Sequence, residues 1–453
     1  MVTHELTLDC TPSSWLLAGV RKRPFVFDGG GCDSWAHGCA IVGHMPRASL
    51  RIDSAGIAEF VDARGRRREH TADPFATLDR FRRTYAERMR ADGPGPFAGG
   101  LVAVLSYDLK NWIERLPSRA QDDQGLPVLE CAWYDWALVF DYHRRAWRLQ
   151  SAYLRDDELA AVAAELKRER VAVAIATPAP AEITSNFSRR TYGAAVERAL
   201  GYIAAGDIYQ VNLAQRFEAV QRAPAAQLFA WLQQRHAMPF AAFVDCGDFE
   251  VISTSPECFL TRDGDAIATF PIKGTRPRAA AAARDVANAL ALRRDAKEAA
   301  EHVMIVDLER NDLGRVCRAG TVSVDSFAAV HSYPTVHHLV SEVRGRLAPE
   351  HVWPDVLRAT FPGGSITGAP KIRAMEIIDE LEPVQRGIYT GAIGFIDGRG
   401  CGVFNIAIRT AIARHGRLTY HAGGAIVAES DPDREYDETL LKARAFFQVC
   451  GTA

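Results

Sequence analysis

Strand-like segments follow one another between residues 388 and 427, and no helix-like segment separates them. This grouping restricts the fold more than any other feature, because consecutive parallel strands need a crossover of about a dozen residues, usually a helix. Other short β-branched or aromatic runs occur at 101–107, 136–142, 249–253 and 266–272. Strands grouped in this way predict an α+β fold with antiparallel sheets rather than a doubly wound parallel sheet.

Helical periodicity marks four segments, at 192–203, 285–313, 370–381 and 435–449. We expect Ser188 to cap the first helix and Gly206 to end it, because small polar residues suit N-caps and glycine suits C-terminal turns. The predicted buried positions of the third segment are Ile372, Met375, Ile377 and Ile378.

The composition is that of a globular protein. At roughly 150 residues per domain, the 453 residues suggest about three domains. Lys and Arg total 54 against 56 Asp and Glu, and the net charge of -2 argues against a partner such as nucleic acid or an anionic membrane. The N-terminus lacks a long apolar stretch, and the nine scattered cysteines form no C-x-x-C pair. These features predict a soluble cytoplasmic protein with reduced thiols.

The clearest break in the chain is the segment 176–188, in which two prolines and several small polar residues interrupt any helix. It separates an N-terminal region, 1–175, from a second region, 189–453. Most residues that could take part in catalysis or ligand binding lie in the second region.

The first cluster of such residues combines Glu257, in STSPECF, with Lys273, in TFPIKGTRPR. A lysine that points inward from a strand end loses solvation, so its pKa falls and the amine becomes a usable nucleophile or base. A surface lysine in a turn is the alternative, and composition alone favours it.

Two more carboxylates and a glycine-rich loop add to this pattern. Glu301 precedes an apolar helical stretch, and Glu438 lies in YDETLLK on the last predicted helix. Each either needs a cation or forms an ordinary salt bridge on a helix surface. The loop FPGGSITGAPKIR contains Ser365 and leads into a helix, so it either offers backbone N–H groups to an anion or forms a tight turn with a helix cap.

Arg409 lies within the β-rich stretch AIRTAI and should be half-buried. A buried guanidinium needs an anionic partner, and a carboxylate suits it in a bidentate arrangement. Taken together, the clusters predict a site for a small molecule with several negative charges. Two carboxylates remain for a divalent ion, and an all-oxygen donor set favours Mg²⁺.

Longer motifs stand in a fixed order along the chain. They are PIKGT, EHVMIVDLERNDLGRV, VHHLVS, FPGGSITGAPKIRAMEIIDELEP, YTGAIG, IAIRT, AGGAIVAES and YDETLLKA. With these motifs the sequence resembles the chorismate-utilising enzymes, which include anthranilate synthase component I, aminodeoxychorismate synthase component I, isochorismate synthase and salicylate synthase. The resemblance implies an anthranilate-synthase-component-I-like α+β fold. In it, two interleaved lobes of mostly antiparallel sheet, flanked by helices, form one compact unit.

Lys273 distinguishes between the branches of this family. The lysine of PIKGT is the nucleophile of aminodeoxychorismate synthases, whereas anthranilate synthases typically have alanine there and isochorismate synthases use water. The resemblance implies that Lys273 attacks C2 of chorismate as the C4 hydroxyl leaves. Ammonia then attacks C4 and releases the lysine, giving 4-amino-4-deoxychorismate, a precursor of 4-aminobenzoate and folate. The alternatives are anthranilate or isochorismate as the product, or a catalytically silent homologue that only binds chorismate or a glutaminase.

The resemblance also implies roles at the reacting ring. Glu257 acts as the general acid/base near the leaving hydroxyl, and His338, the second histidine of VHHLVS, assists at the ring. Glu301 and Glu438 bind Mg²⁺, which grips the ring carboxylate of chorismate.

The remaining implied residues bind the substrate. Arg409 and Tyr389 hold the enolpyruvyl carboxylate, with help from backbone N–H groups near Gly423 and Gly424. The residues expected to line the pocket are Ser365, Gly274 and Thr275.

Two further expectations concern ligands other than chorismate. Ammonia is expected from a separate glutamine amidotransferase subunit, because a glutaminase domain needs a length of chain that the core already occupies. Some relatives bind tryptophan in a pocket that corresponds here to residues 25–39, together with Pro239 and Phe240. Gly29 stands where those relatives have serine, so a weakened or absent tryptophan site is predicted.

Overall fold

The computed structural model describes residues 1–18, 21–32, 34–36, 38–90, 95–168, 174–333 and 336–451, without the side chains of 296 and 297. Helices and strands alternate in groups along this chain. The helices are α1 (Pro12–Leu17), α2 (Pro74–Ala86), α3 (Asp156–Arg168), α4 (Arg189–Ala204), α5 (Ala225–His236), α6 (Ala282–Arg294), α7 (Ala296–Gly314), α8 (Trp353–Thr360), α9 (Lys371–Leu381) and α10 (Pro432–Val449), with 3₁₀ turns at Tyr107–Trp112 and Gly364–Ile366.

The strands are short, and every strand pairing is antiparallel. They are β1 (Val2–Leu6), β2 (Phe25–Phe27), β3 (Cys39–Gly43), β4 (Ala48–Ile52), β5 (Ile57–Asp62), β6 (Gly65–His70), β7 (Gly100–Leu105), β8 (Leu129–Tyr134), β9 (Ala137–Asp141), β10 (Ala146–Ser151), β11 (Ile183–Ser185), β12 (Gln210–Val220), β13 (Phe240–Asp245), β14 (Glu250–Ser255), β15 (Cys258–Asp263), β16 (Ala266–Thr269), β17 (Ile272–Pro277), β18 (Ser323–Ser332), β19 (Val336–Arg346), β20 (Gly368–Ala369), β21 (Ala392–Asp397), β22 (Gly402–Ile406), β23 (Thr410–Arg414) and β24 (Arg417–Ile426).

The strands form two large sheets, and each sheet combines strands from both ends of the chain. The first sheet has the order β1-β10-β9-β3-β2-β13-β14-β23-β24-β12-β11, with β20 beside β12. The second has the order β17-β19-β16-β15-β22-β21-β7-β8-β4-β5-β6, with β18 beside β19. The N-terminal strands join the later ones at the β2–β13 and β7–β21 pairings. The predicted α+β fold with interleaved antiparallel lobes is therefore confirmed.

The two sheets face each other across an aromatic core. Phe27 of β2 and Phe395 of β21 lie with their ring centroids 5.7 Å apart, and both side chains are buried. Helices cover the outer faces, with α2, α7 and α8 on the second sheet and α1, α3, α5 and α10 on the first. As a result, α7 packs on the second sheet and α10 on the first, and the strands that carry the candidate site residues lie between these two helices. Within the part of the chain that the structure describes, no helix has the length and apolar character needed to cross a bilayer.

The helix predictions hold with two corrections. Ser188 is the N-cap of α4, where it accepts from the Thr191 N–H while the Thr191 hydroxyl accepts from the Ser188 N–H. The predicted helix over 285–313 is wrong as one element, because α6 ends at Arg294 and α7 begins at Ala296. Ile372 is also not buried but 47% exposed. At about 100° per residue it lies about 160° around α9 from Ala374, which is fully buried, so it faces solvent.

Candidate active site

Lys273 lies on β17, the edge strand of the second sheet, directly before a β-bulge. The register shifts between Lys273 and Thr275 against β19, so Gly274 is the extra residue. Its φ is +71°, and a Cβ there would lie 2.8 Å from Leu292 Cδ1. Glycine adopts this left-handed conformation without a steric penalty, and a bulge redirects the side chains beside it. The IKGT sequence therefore sets the direction of Lys273 through the glycine that follows it.

The Lys273 side chain points inward toward other charged groups. Its Nζ donates to the Ser365 carbonyl oxygen at 3.4 Å. Burial lowers the pKa of the amine below its ordinary value, while the nearby carboxylates of Glu301 and Glu257 oppose that shift. The surface-turn interpretation that composition favoured is wrong, because a lysine in open solvent would carry neither the contact nor the shift.

Glu257 lies between β14 and β15 and is buried. The Ser365 hydroxyl donates to its Oε1 at 2.6 Å. Burial raises the pKa of the carboxyl to about 7, although the Ser365 hydrogen bond, the Lys273 charge and the Ile272 N–H each lower it. A carboxyl group with a pKa near neutrality can both give and take a proton at physiological pH, as a general acid/base requires.

The 3₁₀ turn Gly364–Ile366 holds Ser365 in this position. The Gly364 N–H donates to Glu309 Oε1 at 2.9 Å, so the turn is anchored to α7. Burial and the neighbouring Asp312 raise the pKa of Glu309 to about 7. Of the two interpretations of the glycine-rich loop, the tight turn before α9 describes its geometry, and the serine hydroxyl faces Glu257 rather than solvent.

His338 lies on β19, opposite Thr275. Its Nδ1 donates to the Gly274 carbonyl oxygen at 3.2 Å and lies 3.0 Å from the Thr275 hydroxyl. Burial lowers the pKa of the imidazole to about 4, and the Arg409 charge lowers it further. Because Nδ1 carries the proton, Nε2 is an acceptor, and it has no hydrogen-bond partner among the described residues. Thr275 is exposed, and its hydroxyl contacts the His338 ring.

The segments that carry Tyr389 and Arg409 each contain a residue with an unusual backbone conformation. Thr390 has φ +61° and Arg409 has φ +50°, which costs an L-amino acid about 1–3 kcal/mol. Thr390 and Gly391 pair with Ala407, which brings the Tyr389 segment close to the Arg409 segment. Strained residues that cluster in this way are typical of ligand-binding sites.

Arg409 is half-buried, as the sequence predicts, and burial lowers the pKa of its guanidinium. No hydrogen bond or ion pair of its side chain is found within the described residues. A guanidinium held this way remains available to an anionic ligand. The buried Tyr389 ring stacks on His421 of β24, with centroids 5.1 Å apart and an interplanar angle of 11°.

The two glycines of β24 have different surroundings. A Cβ on Gly423 would lie 2.5 Å from the Leu213 carbonyl oxygen, so glycine is required there for packing against β12. Gly424 instead faces α10, where a Cβ would lie 3.4 Å from Glu438 Oε1. Among the described strands, β23 pairs with β24 only as far as Tyr420, so beyond that residue the edge of β24 is open on the side of Arg409.

Three carboxylates come from two helices. Glu298 and Glu301 lie three residues apart on α7, and therefore on one face, while Glu438 lies exposed on α10. Burial raises the pKa of Glu298, and the Glu438 charge adds to this rise, so the two helices bring like charges together. Lys442 Nζ pairs with Glu438 at 2.7 Å and donates to the Gly423 carbonyl oxygen at 2.9 Å.

This donor set fits Mg²⁺, which is commonly bound by one or two carboxylates and keeps water or substrate oxygens. In the residues that the structure describes, no three His, Cys, Asp or Glu side chains converge to form a preassembled metal site. An ion here would therefore depend on oxygens that a bound substrate or water supplies.

Comparisons with known proteins identify the family. The sequence profile of the chorismate binding enzymes matches residues 41–448. Aminodeoxychorismate synthase component 1 of Klebsiella aerogenes is 45% identical, over 77% of this chain and 76% of the relative.

The chain belongs to the chorismate binding enzyme family.

Relatives with another activity are nearly as similar to this chorismate-binding chain. Anthranilate synthase component 1 of Thermus thermophilus is 40% identical over 84% of this chain and 83% of the relative. The crystal structure of anthranilate synthase component I from Streptococcus pneumoniae superposes with a TM-score of 0.78 at 31% identity, covering 90% of this chain and 91% of that one. Family and fold are thus shown, and the choice of product depends on individual residues.

In the described part of 25–39, the segment for which the sequence predicts a weakened or absent tryptophan site, aromatic side chains pack closely with their neighbours. The Trp35 ring lies 4.5 Å from Phe27 and 5.5 Å from Phe240, and its indole N–H donates to the Ala241 carbonyl oxygen. A Cβ on Gly29 would lie 2.0 Å from Ser34 Oγ, so a serine would not fit there without rearrangement. This packing agrees with the predicted loss of the tryptophan site, which stays a prediction.

Sequence reasoning missed several residues of the candidate site. Glu298 could have been found from its spacing of three from Glu301, and Lys442 from its spacing of four from Glu438. Arg386 likewise lies four residues from Glu382, whereas Glu309 gave no comparable signal, because its partner is the distant backbone N–H of Gly364.

Proposed function

We propose that this chain is component I of an aminodeoxychorismate synthase, which converts chorismate and ammonia to 4-amino-4-deoxychorismate. The observation that carries the proposal is Lys273 itself. It is an amine with a lowered pKa, held next to Ser365 and within the electrostatic influence of Glu257. An enzyme that used ammonia or water as its first nucleophile would not need an amine here, and burying one would be costly.

In the first step, the neutral Lys273 amine attacks C2 of chorismate. Both ring double bonds shift by one position, the C4–O bond breaks, and protonated Glu257 gives its proton to the leaving oxygen, which departs as water. The raised pKa of Glu257, about 7, favours the protonated carboxyl at the start of this step. The lysine nitrogen then returns a proton to the carboxylate.

In the second step, ammonia attacks C4 and the C2–Nζ bond breaks. Both ring double bonds return to their original positions, and protonated Glu257 gives its proton to the leaving lysine nitrogen. The ammonium group formed at C4 then returns a proton to the carboxylate, so Lys273 is again a neutral amine and the product carries an amino group in place of the hydroxyl. The overall reaction converts chorismate and ammonia to 4-amino-4-deoxychorismate and water. The relatives' name, component 1, implies a second component. We infer that it is a glutamine amidotransferase that supplies the ammonia.

The charged groups around the reacting centre suit a dianionic substrate. Arg409 and Tyr389 would bind the enolpyruvyl carboxylate at the open edge of β24, beside the backbone of Gly424. Neutral His338 would accept a hydrogen bond at Nε2 from the substrate. Among the carboxylates, Glu301 and Glu438 would hold Mg²⁺, which when bound supplies positive charge for the ring carboxylate.

Product analysis tests the proposal. The purified chain is incubated with chorismate, Mg²⁺ and an ammonium salt, and the products are identified by mass spectrometry and fluorescence. We expect 4-amino-4-deoxychorismate without release of pyruvate. Lys273→Ala should lose turnover, whereas Lys167→Ala, which removes an exposed amine from α3, should retain the same product.

Anthranilate synthesis is the second candidate function, because a 40%-identical relative bears that name. Fluorescent anthranilate together with an equal amount of pyruvate from the wild-type chain would overturn the proposed product. Full activity of Lys273→Ala would overturn the nucleophile. A chain that binds chorismate in calorimetry but forms no product would be the silent homologue.

A further inference from the structure

Arg386 lies in the segment between α9 and β21, and its side chain is only 1% exposed. All five of its N–H groups have acceptors. Nε and Nη2 donate to the two carboxylate oxygens of Glu382, at 2.9 and 2.6 Å. The other three donate to the Asn212 carbonyl oxygen at 2.8 Å, the Ile366 carbonyl oxygen at 3.1 Å and the Thr390 hydroxyl at 3.3 Å.

Three of these acceptors lie next to residues of the candidate site. Ile366 directly follows Ser365, the residue that donates to the catalytic carboxyl. Thr390 directly follows Tyr389 and has the strained φ of +61°. Asn212 pairs with Ala425, so it lies opposite the glycine motif of β24. One guanidinium therefore connects the acid/base side of the site with its carboxylate-binding side.

The flat guanidinium also lies between two aromatic rings. Its carbon is 4.9 Å from the centroid of Tyr107 and 5.6 Å from that of Tyr389. A cation over an aromatic face is attracted by the ring quadrupole, so Arg386 restrains the Tyr389 ring as well as the backbone beside it. Tyr107 belongs to the N-terminal region, which brings both regions of the chain into this contact.

Stability alone does not account for this arrangement. Replacing a buried ion pair by apolar side chains of similar volume is often neutral or stabilising, since the desolvation cost can exceed the attraction between the charges. What an apolar side chain cannot do is fix three separate backbone segments with directional hydrogen bonds. Arginine is suited to this because its five donors form a rigid planar fork.

We propose that Arg386 is a positioning residue that holds the Ser365 turn and the Tyr389–Thr390 turn in the relative arrangement that chorismate turnover requires. The inference rests on the proposed function, because it assumes that Ser365 and Tyr389 serve chorismate. It adds a role for a residue that does not itself touch the substrate.

The test compares Arg386→Lys with Arg23→Lys in steady-state kinetics with chorismate. Lysine at 386 keeps the charge beside Glu382, so no unpaired carboxylate remains, but three donors cannot replace the five of the fork. Arg23 is the control, a partly buried arginine whose contacts are with Glu130 and the Asp245 carbonyl oxygen. Active fractions are determined from circular dichroism and thermal unfolding.

We expect Arg386→Lys to lower kcat about tenfold or more and to raise KM several-fold, because both sides of the site lose alignment. A purely structural role would lower only the folded fraction, as expected for Arg23→Lys, and would leave KM unchanged. An Arg386→Lys protein whose folded fraction has wild-type kcat and KM would overturn the proposal.

A second variant decides the question if Arg386→Lys does not fold. Thr390→Val keeps the arginine and removes the hydroxyl that accepts from it and donates to the Tyr389 carbonyl oxygen, so KM should rise several-fold; an unchanged KM would overturn the proposal. Chorismate consumption is the readout, whichever product forms. Anthranilate as the wild-type product would thus refute the proposed function while leaving the arginine comparison valid.

Discussion

Ser365→Ala tests the acid/base assignment most directly. The Ser365 hydroxyl donates to Glu257 Oε1 at 2.6 Å inside a buried site, and this hydrogen bond favours the charged carboxylate. It is therefore one of the contacts that restrain the rise of the Glu257 pKa, which burial brings to about 7. Removing the hydroxyl should let that pKa rise further.

The size of the shift follows from the strength of the bond. A hydrogen bond to a charged group contributes about 1.5–3 kcal/mol, and one pKa unit corresponds to about 1.4 kcal/mol. We therefore expect the pKa of Glu257 to rise by about one to two units in the variant. Because the proposed first step needs protonated Glu257, activity falls as pH rises through this pKa. The alkaline limb of the profile should move to higher pH by the same amount.

The assay is kcat/KM for chorismate as a function of pH, which reports the pKa values of the free enzyme. The concentration of free ammonia, rather than total ammonium, is held constant at each pH, since ammonia itself titrates in the alkaline range. Infrared difference spectra follow the protonated carboxyl band, and Glu257→Gln identifies it. Ser151→Ala removes a buried hydroxyl that donates to the Asp135 carbonyl oxygen, so it controls for the loss of a buried hydroxyl.

Two results would refute this reasoning. An unshifted alkaline limb would mean that Ser365 does not influence the group that titrates. A limb displaced to lower pH would mean that Lys273 had moved into direct contact with Glu257 and stabilised its charged form. A uniform loss at every pH, also seen in Ser151→Ala, would mean that only folding had changed.

Three other predictions concern stability and metal dependence. Gly274→Ala should lower the free energy of unfolding by about 1–3 kcal/mol in urea denaturation, because φ is +71° and the added methyl would lie 2.8 Å from a leucine methyl of α6; Gly416→Ala, at the similar φ of +74° with no atom within 4 Å, should cost less, and equal losses would contradict the packing argument. Burial and the neighbouring Asp312 raise the pKa of Glu309, so its folded form holds the proton more tightly and stability falls as pH rises above the ordinary carboxyl range; Glu309→Gln should flatten that slope, and parallel pH profiles of unfolding would contradict it. Glu301→Gln should raise the Mg²⁺ concentration needed for half-maximal activity about tenfold or more, whereas Glu350→Gln should not, and an unchanged Mg²⁺ titration would remove Glu301 from the metal site.

The fold class could be predicted from the sequence because strand grouping is a local property. The strands between 388 and 427 lie next to each other along the chain, so their pairing needs no crossover, and the pairs β21–β22 and β23–β24 are both present. The same locality explains the correct cap at Ser188. It also explains the error at Ile372, where apolar character was considered without its angle around the helix.

The site could be predicted only where one residue carries the chemistry. Lys273, Glu257 and Arg409 stand out by residue type and motif, but the inward direction of Lys273 depends on a bulge defined against β19, which lies more than sixty residues further along the chain. Arg386 has two acceptors that are backbone carbonyl oxygens of distant segments, Asn212 and Ile366. Such contacts place no requirement on the partner's residue type, so no sequence pattern reveals them.

The position of Ser365 resolves a conflict between the two reacting groups. The proposed mechanism needs a neutral amine and a protonated carboxyl, which burial favours, whereas a direct ion pair would favour the charged forms of both. Lys273 and Glu257 form no direct ion pair; instead, Ser365 lies between them, with its hydroxyl on Glu257 and its carbonyl oxygen toward Lys273 at 3.4 Å. The turn that carries this serine is anchored by Glu309 on one side and by Arg386 on the other. Keeping an acid and an amine close but unpaired is thus a property of the turn, and this explains why it is fixed from two sides.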